Sequence, residues 1–131
     1  PVVSSAASDV YKRQQEILMK KILLLTAILF STPSIANIGC IGTVKNILQY
    51  ADGSINVHTA YRNDYTVMCN IEKHWKGVSP EACQGMLSVL LTAQSTGKSI
   101  ATYYSGDQYT CSNLPHYGSA PGPIYVGIVG E

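Results

Sequence analysis

Hydrophobic and polar positions alternate with a period of two along two stretches in the middle of the chain. The first stretch carries Ile55, Val57, Thr59 and Tyr61, and the second carries Tyr65, Val67, Cys69 and Ile71. Such alternation is typical of strands with one buried face. An earlier apolar segment, 41–50, ends at Asp52-Gly53, which is typical of a type I′ hairpin turn with positive φ at both central residues. Together with a turn at Asn63-Asp64, the pattern predicts a three-stranded antiparallel meander.

The period changes after the third predicted strand. Ser79-Pro80-Glu81 combines a hydroxyl N-cap, a first-turn proline and an acidic residue near the positive end of a helix dipole. The residues that follow at the spacing of one helical face are Cys83, Met86, Leu87, Leu90 and Leu91. Gly97 is a typical helix C-terminal signal. A fourth strand is predicted from Ile100 and a fifth at Ile124–Val129.

The order of these elements predicts the fold class. Three strands, one helix and two strands is the order of the OB-fold, a five-stranded Greek-key barrel with its helix between strands three and four. We therefore predict a mainly β domain built as an OB-type barrel. An open α+β sheet with one helix has the same order of elements and is the alternative.

The N-terminal part of the chain has a different character. Residues 1–18 are polar and patternless, look like translated adaptor or upstream DNA, and are assigned to a non-native leader. Residues 19–36 have the pattern of a secretory signal peptide: a basic start at Met19-Lys20-Lys21, the apolar run Ile22–Phe30, and small residues up to Ala36. A single disulfide-bonded domain is predicted at 37–131. We expect export through the Sec pathway, a periplasmic or secreted location, and no membrane association after cleavage.

Composition and charge narrow the function classes. The chain is 46% hydrophobic and 13% charged, a composition that excludes intrinsic disorder. Residues 37–131 carry five basic and six acidic side chains, so the predicted domain lacks the excess of Lys and Arg typical of nucleic-acid binding. We therefore expect no nucleic-acid partner.

All four cysteines lie in the predicted domain, and an even number in a small exported domain indicates two disulfides. A zinc site is disfavoured because the paired C-x2–4-C knuckles are absent. In an OB barrel strand one runs antiparallel to strand four, which brings Cys40 towards Cys111. Cys69 ends the third strand and Cys83 lies in the first helical turn. We predict the pairs Cys40–Cys111 and Cys69–Cys83, with no metal site and no cofactor.

The three histidines are the candidates for acid–base chemistry. The chain has neither a G-x-S-x-G nucleophile motif nor a helical H-E-x-x-H. His58 lies on the polar face of the second strand, while His74 and His116 lie in loops, so surface roles are expected for all three. We predict a non-enzymatic protein. The alternative is a small periplasmic enzyme or enzyme inhibitor that uses His58 or His74.

Tyrosine is concentrated in the last third of the chain. The tyrosines there are Tyr103, Tyr104, Tyr109, Tyr117 and Tyr125. A tyrosine offers an apolar ring and a hydroxyl group at low entropic cost, which suits recognition of sugars and proteins. Packing on sheet faces is the alternative role for each one. The cluster favours an exported binding module with a glycan or protein ligand.

The segment Thr96–Tyr104, which reads TGKSIATYY after a leucine-rich helix, resembles the B subunit of subtilase-type AB5 cytotoxins. Gly42-Thr43-Val44 and Cys69-Asn70-Ile71 extend the similarity over about Cys40–Tyr104. The resemblance implies an OB barrel, a homopentamer and glycan binding, with Tyr104 at the glycan contact and Tyr103 beside it. Ile41 stands where that family has a serine that binds the sialic-acid carboxylate, so this contact is absent.

Overall fold

The computed structural model describes residues 4–28 and 36–130. The chain divides into two units, Pro1–Ser34 and Ile35–Glu131. In the first unit, helix α1 spans Ser4–Ile28, across the predicted leader and the beginning of the predicted signal peptide. Residues 29–35 of that signal peptide lie outside the described residues. Neither described helix combines the length and the hydropathy that crossing a lipid bilayer requires.

The second unit is an α+β structure in which five antiparallel strands form one open sheet. The elements are β1 (Asn37–Gln49), β2 (Ser54–Thr59), β3 (Asp64–Asn70), α2 (Pro80–Thr96), β4 (Ser99–Ser105) and β5 (Tyr125–Ile128). The strand order is β3-β2-β1-β4-β5, so β3 and β5 form the two edges. The described residues thus contain an open sheet, as in the α+β alternative, and not the closed barrel that was predicted first. They contain two helices, of which α2 lies between β3 and β4 and α1 lies outside the predicted domain. No ladder between β3 and β5 closes the described part of the sheet.

The central strand β1 has different partners along its two halves. Residues 37–43 pair with β4, and the part from Val44 to Gln49 pairs with β2. The register shifts between Val44 and Asn46, which marks a β-bulge. Because the bulge inserts one residue, Val44 and Ile47 both pack in the core although they are three positions apart. Leu48 is exposed instead.

The turn between β1 and β2 differs from the predicted type I′ turn. Within this turn only Gly53 has a positive φ, of 87°. The amide of Gly53 donates to the carbonyl of Tyr50 over 3.0 Å, and the amide of Tyr50 donates to the carbonyl of Ser54 over 2.8 Å. These bonds enclose a three-residue hairpin loop. A Cβ on Gly53 would lie 2.5 Å from Cγ of Glu72, so glycine is required here.

A second bulge changes which residues of β3 face the core. The register between β2 and β3 shifts between Ile55 and Asn56, where Met68 is the inserted residue. Thr66 and Met68 are fully buried, whereas Tyr65 is only half-buried. The simple alternation expected for this strand is therefore broken, and Tyr65 lies on the outer face opposite His58.

Helix α2 covers the core side of the sheet. The hydroxyl of Ser79 accepts a hydrogen bond from the amide of Ala82 over 3.1 Å, and Gly97 ends the helix with φ 70°. Cys83, Leu90 and Ala93 are fully buried along one face of the helix. Leu91, which the sequence placed in the buried stripe, is 49% exposed. The buried face is therefore narrower than predicted.

Two disulfides join the ends of these elements. Cys40 is bonded to Cys111 and Cys69 to Cys83, with Cα–Cα distances of 5.6 and 5.5 Å, and these are the pairs expected from the sequence. The first bond ties the beginning of β1 to the segment after β4, and the second ties the end of β3 to the first turn of α2. Two disulfides are compatible with an exported protein.

Candidate functional site

The two tyrosines singled out by the sequence lie on opposite faces of β4. Ile100, Thr102 and Tyr104 are buried, whereas Tyr103 is half-buried on the other face. This arrangement follows from the period-two alternation of a strand. Tyr103 pairs in register with Gly39 of β1 and with Tyr125 of β5.

Tyr104 belongs to the interior and is 1% exposed. Its ring packs in a cluster with Cys40 and Leu114, and its hydroxyl lies 3.8 Å from the sulfur of Met68. A glycan cannot reach this ring in the present conformation, so the predicted ligand contact at Tyr104 is replaced by a packing role. The physical reason is the register of β4, which turns Tyr104 to the same side as Ile100.

We expect the burial of Tyr104 to make the protein sensitive to alkali. Burial, assisted by the neighbouring Tyr61 hydroxyl, raises the pKa of Tyr104 well above the ordinary tyrosine value of 10.0. The stabilising contribution of the neutral phenol is present below the unfolded-state pKa and is lost as the pH rises, because the unfolded chain releases a proton that the folded chain retains. The slope approaches about 1.4 kcal/mol per pH unit. Melting temperatures measured on both sides of about pH 10 test this.

The control for the alkaline transition is Tyr104→Phe, which keeps the ring and removes the titrating group. This variant is expected to show a shallower decline in melting temperature above about pH 10. Identical declines in the two proteins would assign the alkaline sensitivity to other groups.

On the outer face of the sheet, Tyr103 and Tyr125 form a pair of parallel aromatic rings. Their centroids are 5.2 Å apart and their planes differ by 4°. Tyr125 is 49% exposed. A Cβ on Gly39 would lie 3.6 Å from Cδ2 of Tyr103, so the ring of Tyr103 lies beside a backbone that carries no side chain. We call Gly39, Tyr103 and Tyr125 the outer platform.

The surface next to the outer platform is formed by apolar and small residues. The neighbouring cross-strand row consists of Ile41, Ala101 and Gly127. Ile41 is 65% exposed, while the other two residues present little or no side chain. Further along the same face, a pocket of about 620 Å³ is lined by Ile41, Val129, Gly130 and the segment 96–99, which includes the cationic Lys98. The face can therefore accept a ligand that is longer than one ring.

A second row of rings crosses the outer face of β2 and β3. The ring centroids of His58 and Tyr65 are 5.0 Å apart, and those of Tyr65 and Tyr117 are 6.2 Å apart with planes that differ by 12°. Tyr117 comes from the loop between β4 and β5. Its amide donates to the carbonyl of Tyr65 over 2.9 Å, and its carbonyl accepts from the amide of Val67 over 3.0 Å. The loop therefore adds one parallel bridge to the edge of β3.

Two cationic side chains hold this loop against the domain. The ammonium group of Lys76 donates to the carbonyl of Gly118 over 2.7 Å and also to the carbonyl of Ala120. The guanidinium of Arg62 donates from Nε to the carbonyl of Leu114. Leu114 and Ala120 are buried, and because buried carbonyls need partners, these bonds supplement the single bridge between the loop and β3.

A histidine–carboxylate pair lies beside the second ring row. Nδ1 of His116 lies 2.6 Å from Oδ2 of Asp64 and 3.3 Å from Nη2 of Arg62. The backbone amide of Tyr65, followed by His116, lowers the pKa of the Asp64 carboxyl group. Sequence reasoning missed this pair because its members are far apart in the chain and each is unremarkable by itself.

His58 and His74, the two histidines that the enzyme alternative would use, do not form a pair of this kind with a carboxylate in the described part of the chain. Within residues 36–130, no hydrogen bond joins His58 or His74 to the side chain of a Ser, Asp or Glu residue, and His74 is exposed. The described residues also contain no group of three or more His, Cys, Asp or Glu side chains suited to a metal ion.

No family model, no curated protein and no solved structure matches this chain.

Proposed function

We propose that the protein is an exported, non-enzymatic binding module that recognises glycans through the outer platform. The observation that carries the proposal is the parallel pair of Tyr103 and Tyr125, of which Tyr125 is half-exposed on the outer face of the sheet. Large aromatic rings exposed in a fixed orientation are suited to stacking against the apolar C–H face of a sugar ring. The tyrosine hydroxyls add polar partners for sugar hydroxyl groups.

The surroundings favour a glycan over a protein ligand. A sugar chain needs a flat, open strip, and Gly39, Ala101 and Gly127 leave such a strip beside the two rings. The resemblance of 96–104 to a glycan-binding toxin subunit supports the same ligand class.

Because of the same resemblance, we propose that this domain forms an OB-type barrel and assembles as a homopentamer. Two observations support the barrel. β1 pairs antiparallel with β4, as in a five-stranded Greek-key barrel, and Tyr117 bridges the edge of β3 that β5 would cover in a closed sheet. Export with the help of a signal peptide at 19–36 is part of the same proposal.

We expect Tyr125→Thr to weaken glycan binding at least tenfold, because it removes the exposed half of the ring pair while threonine preserves the strand propensity of β5. The measurement is an array of neutral and sialylated glycans, followed by calorimetric titration of the strongest ligand. Leu91→Ala, on the exposed side of α2, serves as the control and should bind as the wild type does. An array without any bound glycan, or equal affinities for wild type and Tyr125→Thr, would contradict the proposal.

A further inference from the structure

We propose that the free edge of β5 is an interface between two copies of this chain, in which β5 pairs antiparallel with β5 of the second copy. β5 ends the sheet, and among residues 36–130 its one partner strand is β4. The inference does not depend on glycan binding, because it rests on the backbone and the apolar side chains of the edge strand.

The segment 124–129 lacks two common features by which native proteins protect an edge strand. Its sequence, IYVGIV, contains no charged residue and no proline. Ile124, Tyr125 and Ile128 are exposed. Ile128 lies on the core side of the sheet opposite Ile100, and Tyr125 lies on the outer face. Uncharged edge strands of high β-propensity pair with other strands unless a charge, a proline or a covering segment prevents it.

The hydrogen bonds between β4 and β5 identify the backbone groups that are left for a partner. The amide of Val129 donates to the carbonyl of Ser99 over 3.0 Å, in register with the β4–β5 ladder. In an antiparallel ladder, alternate residues direct their amide and carbonyl groups to the same neighbouring strand. Gly127 therefore bonds to β4 as Val129 does, whereas Val126 and Ile128 direct their backbone groups to the free edge.

One register satisfies all of these free groups. If Gly127 faces the partner's Gly127 across a two-fold axis, Val126 lies opposite the partner's Ile128 on both sides of the axis. Each of these pairs then exchanges two N–H···O=C bonds. On the core side, Val126 packs beside the partner's Ile128, and on the outer face Tyr125 lies beside the partner's Val129. All of these side chains are apolar or aromatic, so the pairing brings no like charges together.

A second copy fits this edge better than the other edge of a neighbouring sheet does. On β3, the carbonyl of Tyr65 and the amide of Val67 are already bonded to Tyr117. A head-to-tail contact between β5 and β3 would therefore have to displace the loop that carries Tyr117. Pairing of β5 with itself uses the same surface on both copies and gives a closed two-fold contact.

The two-fold contact is compatible with the proposed homopentamer only as a link between two rings. A contact of this symmetry adds no subunit to a five-fold ring, but it can join one ring to another. The inference therefore requires an even number of protomers in solution. An isolated pentamer would agree with the proposed ring and would overturn the β5 contact, so the two proposals can fail separately.

The first test is the molar mass of the purified oxidised protein, measured by light scattering. Ile128→Lys introduces a charge at the edge while the lysine stem still covers apolar surface, so the mass should fall to half of the wild-type value. Leu48→Lys is the matched control, because Leu48 is 41% exposed, Ile128 is 38% exposed, and Leu48 lies on β1 where it pairs with β2. This control should keep the wild-type mass. An odd number of protomers in the wild type, or an unchanged mass in Ile128→Lys, overturns the proposal.

The second test examines the register and decides the matter if Ile128→Lys fails to fold. A Cβ at Gly127 meets no atom within 4 Å, so Gly127→Cys fits the protomer. Across the axis the two cysteines form a non-hydrogen-bonded pair with Cα atoms about 4.5 Å apart, which a disulfide can span. Gly127→Cys should give a covalent dimer on a non-reducing denaturing gel, and reductant should remove it. Ala101→Cys, its cross-strand neighbour on β4, should remain a single chain. No covalent dimer from Gly127→Cys, or equal amounts from both variants, overturns the pairing.

Discussion

Replacing Cys40 and Cys111 together by alanine is expected to lower the free energy of unfolding by about 4 kcal/mol. The bridge spans a sequence separation of 71 residues, so its removal restores a large amount of chain entropy to the unfolded state. It also releases the beginning of β1, which pairs with β4 over seven residues. Urea unfolding of the oxidised wild type and of the double variant measures the loss.

The matched control is the double alanine variant of Cys69 and Cys83. This bond spans a sequence separation of only 14, so the chain-entropy contribution is smaller, about 3 kcal/mol. If removal of the Cys69–Cys83 bond cost more unfolding free energy than removal of the Cys40–Cys111 bond, the main effect of the disulfides would lie in the folded state. That result would contradict the entropic ordering stated here.

Tyr104→Ala is expected to cost about 3–5 kcal/mol of unfolding free energy, while Tyr103→Ala costs about 1 kcal/mol. The adjacent tyrosines differ because Tyr104 fills the interior next to the Cys40–Cys111 bridge, whereas Tyr103 loses mainly its contact with Tyr125. Denaturant unfolding gives both values. A larger loss for Tyr103→Ala than for Tyr104→Ala would mean that β4 is shifted by one residue from the register described above.

The orientation of these two tyrosines was within reach of the sequence. Ile100, Thr102 and Tyr104 alternate with the small residues Ser99 and Ala101, so the apolar Ile100 identifies the inner face and places Tyr104 on it. The resemblance to the toxin subunit pointed to the opposite conclusion, with Tyr104 at the ligand. Local alternation was the better guide because burial of an isoleucine is a strong constraint on the register of a strand.

Other features could not be deduced in this way. The bulges at Val44–Asn46 and at Met68 insert a residue into a strand, and nothing in the local pattern marks the insertion. The left-handed backbone of Tyr117, with φ 49°, runs against residue preference. The carbonyls of Gly118 and Ala120 that follow it are bonded by Lys76, which is 41 positions earlier in the chain than Tyr117. The pair of Asp64 and His116 likewise arises from loop placement. These contacts are long-range, whereas alternation, capping and turn residues report only on the nearest neighbours.

The shared position of β1 has a consequence for the order of oxidative folding. The first half of this strand cannot pair until β4 has been synthesised. Likewise, Cys40 cannot form its native bond until Cys111, 71 residues later, has been synthesised. At synthesis rates of roughly 5–20 residues per second, Cys40 stays a free thiol for about 4–14 s after it emerges. Cys69 and Cys83 emerge within that interval, so both are transient competitors for Cys40. The early meander of β1, β2 and β3 reduces this risk, because it places Cys69 at the end of β3 where helix α2 brings Cys83 to it. Closure of the short loop then leaves Cys111 as the one remaining partner for Cys40.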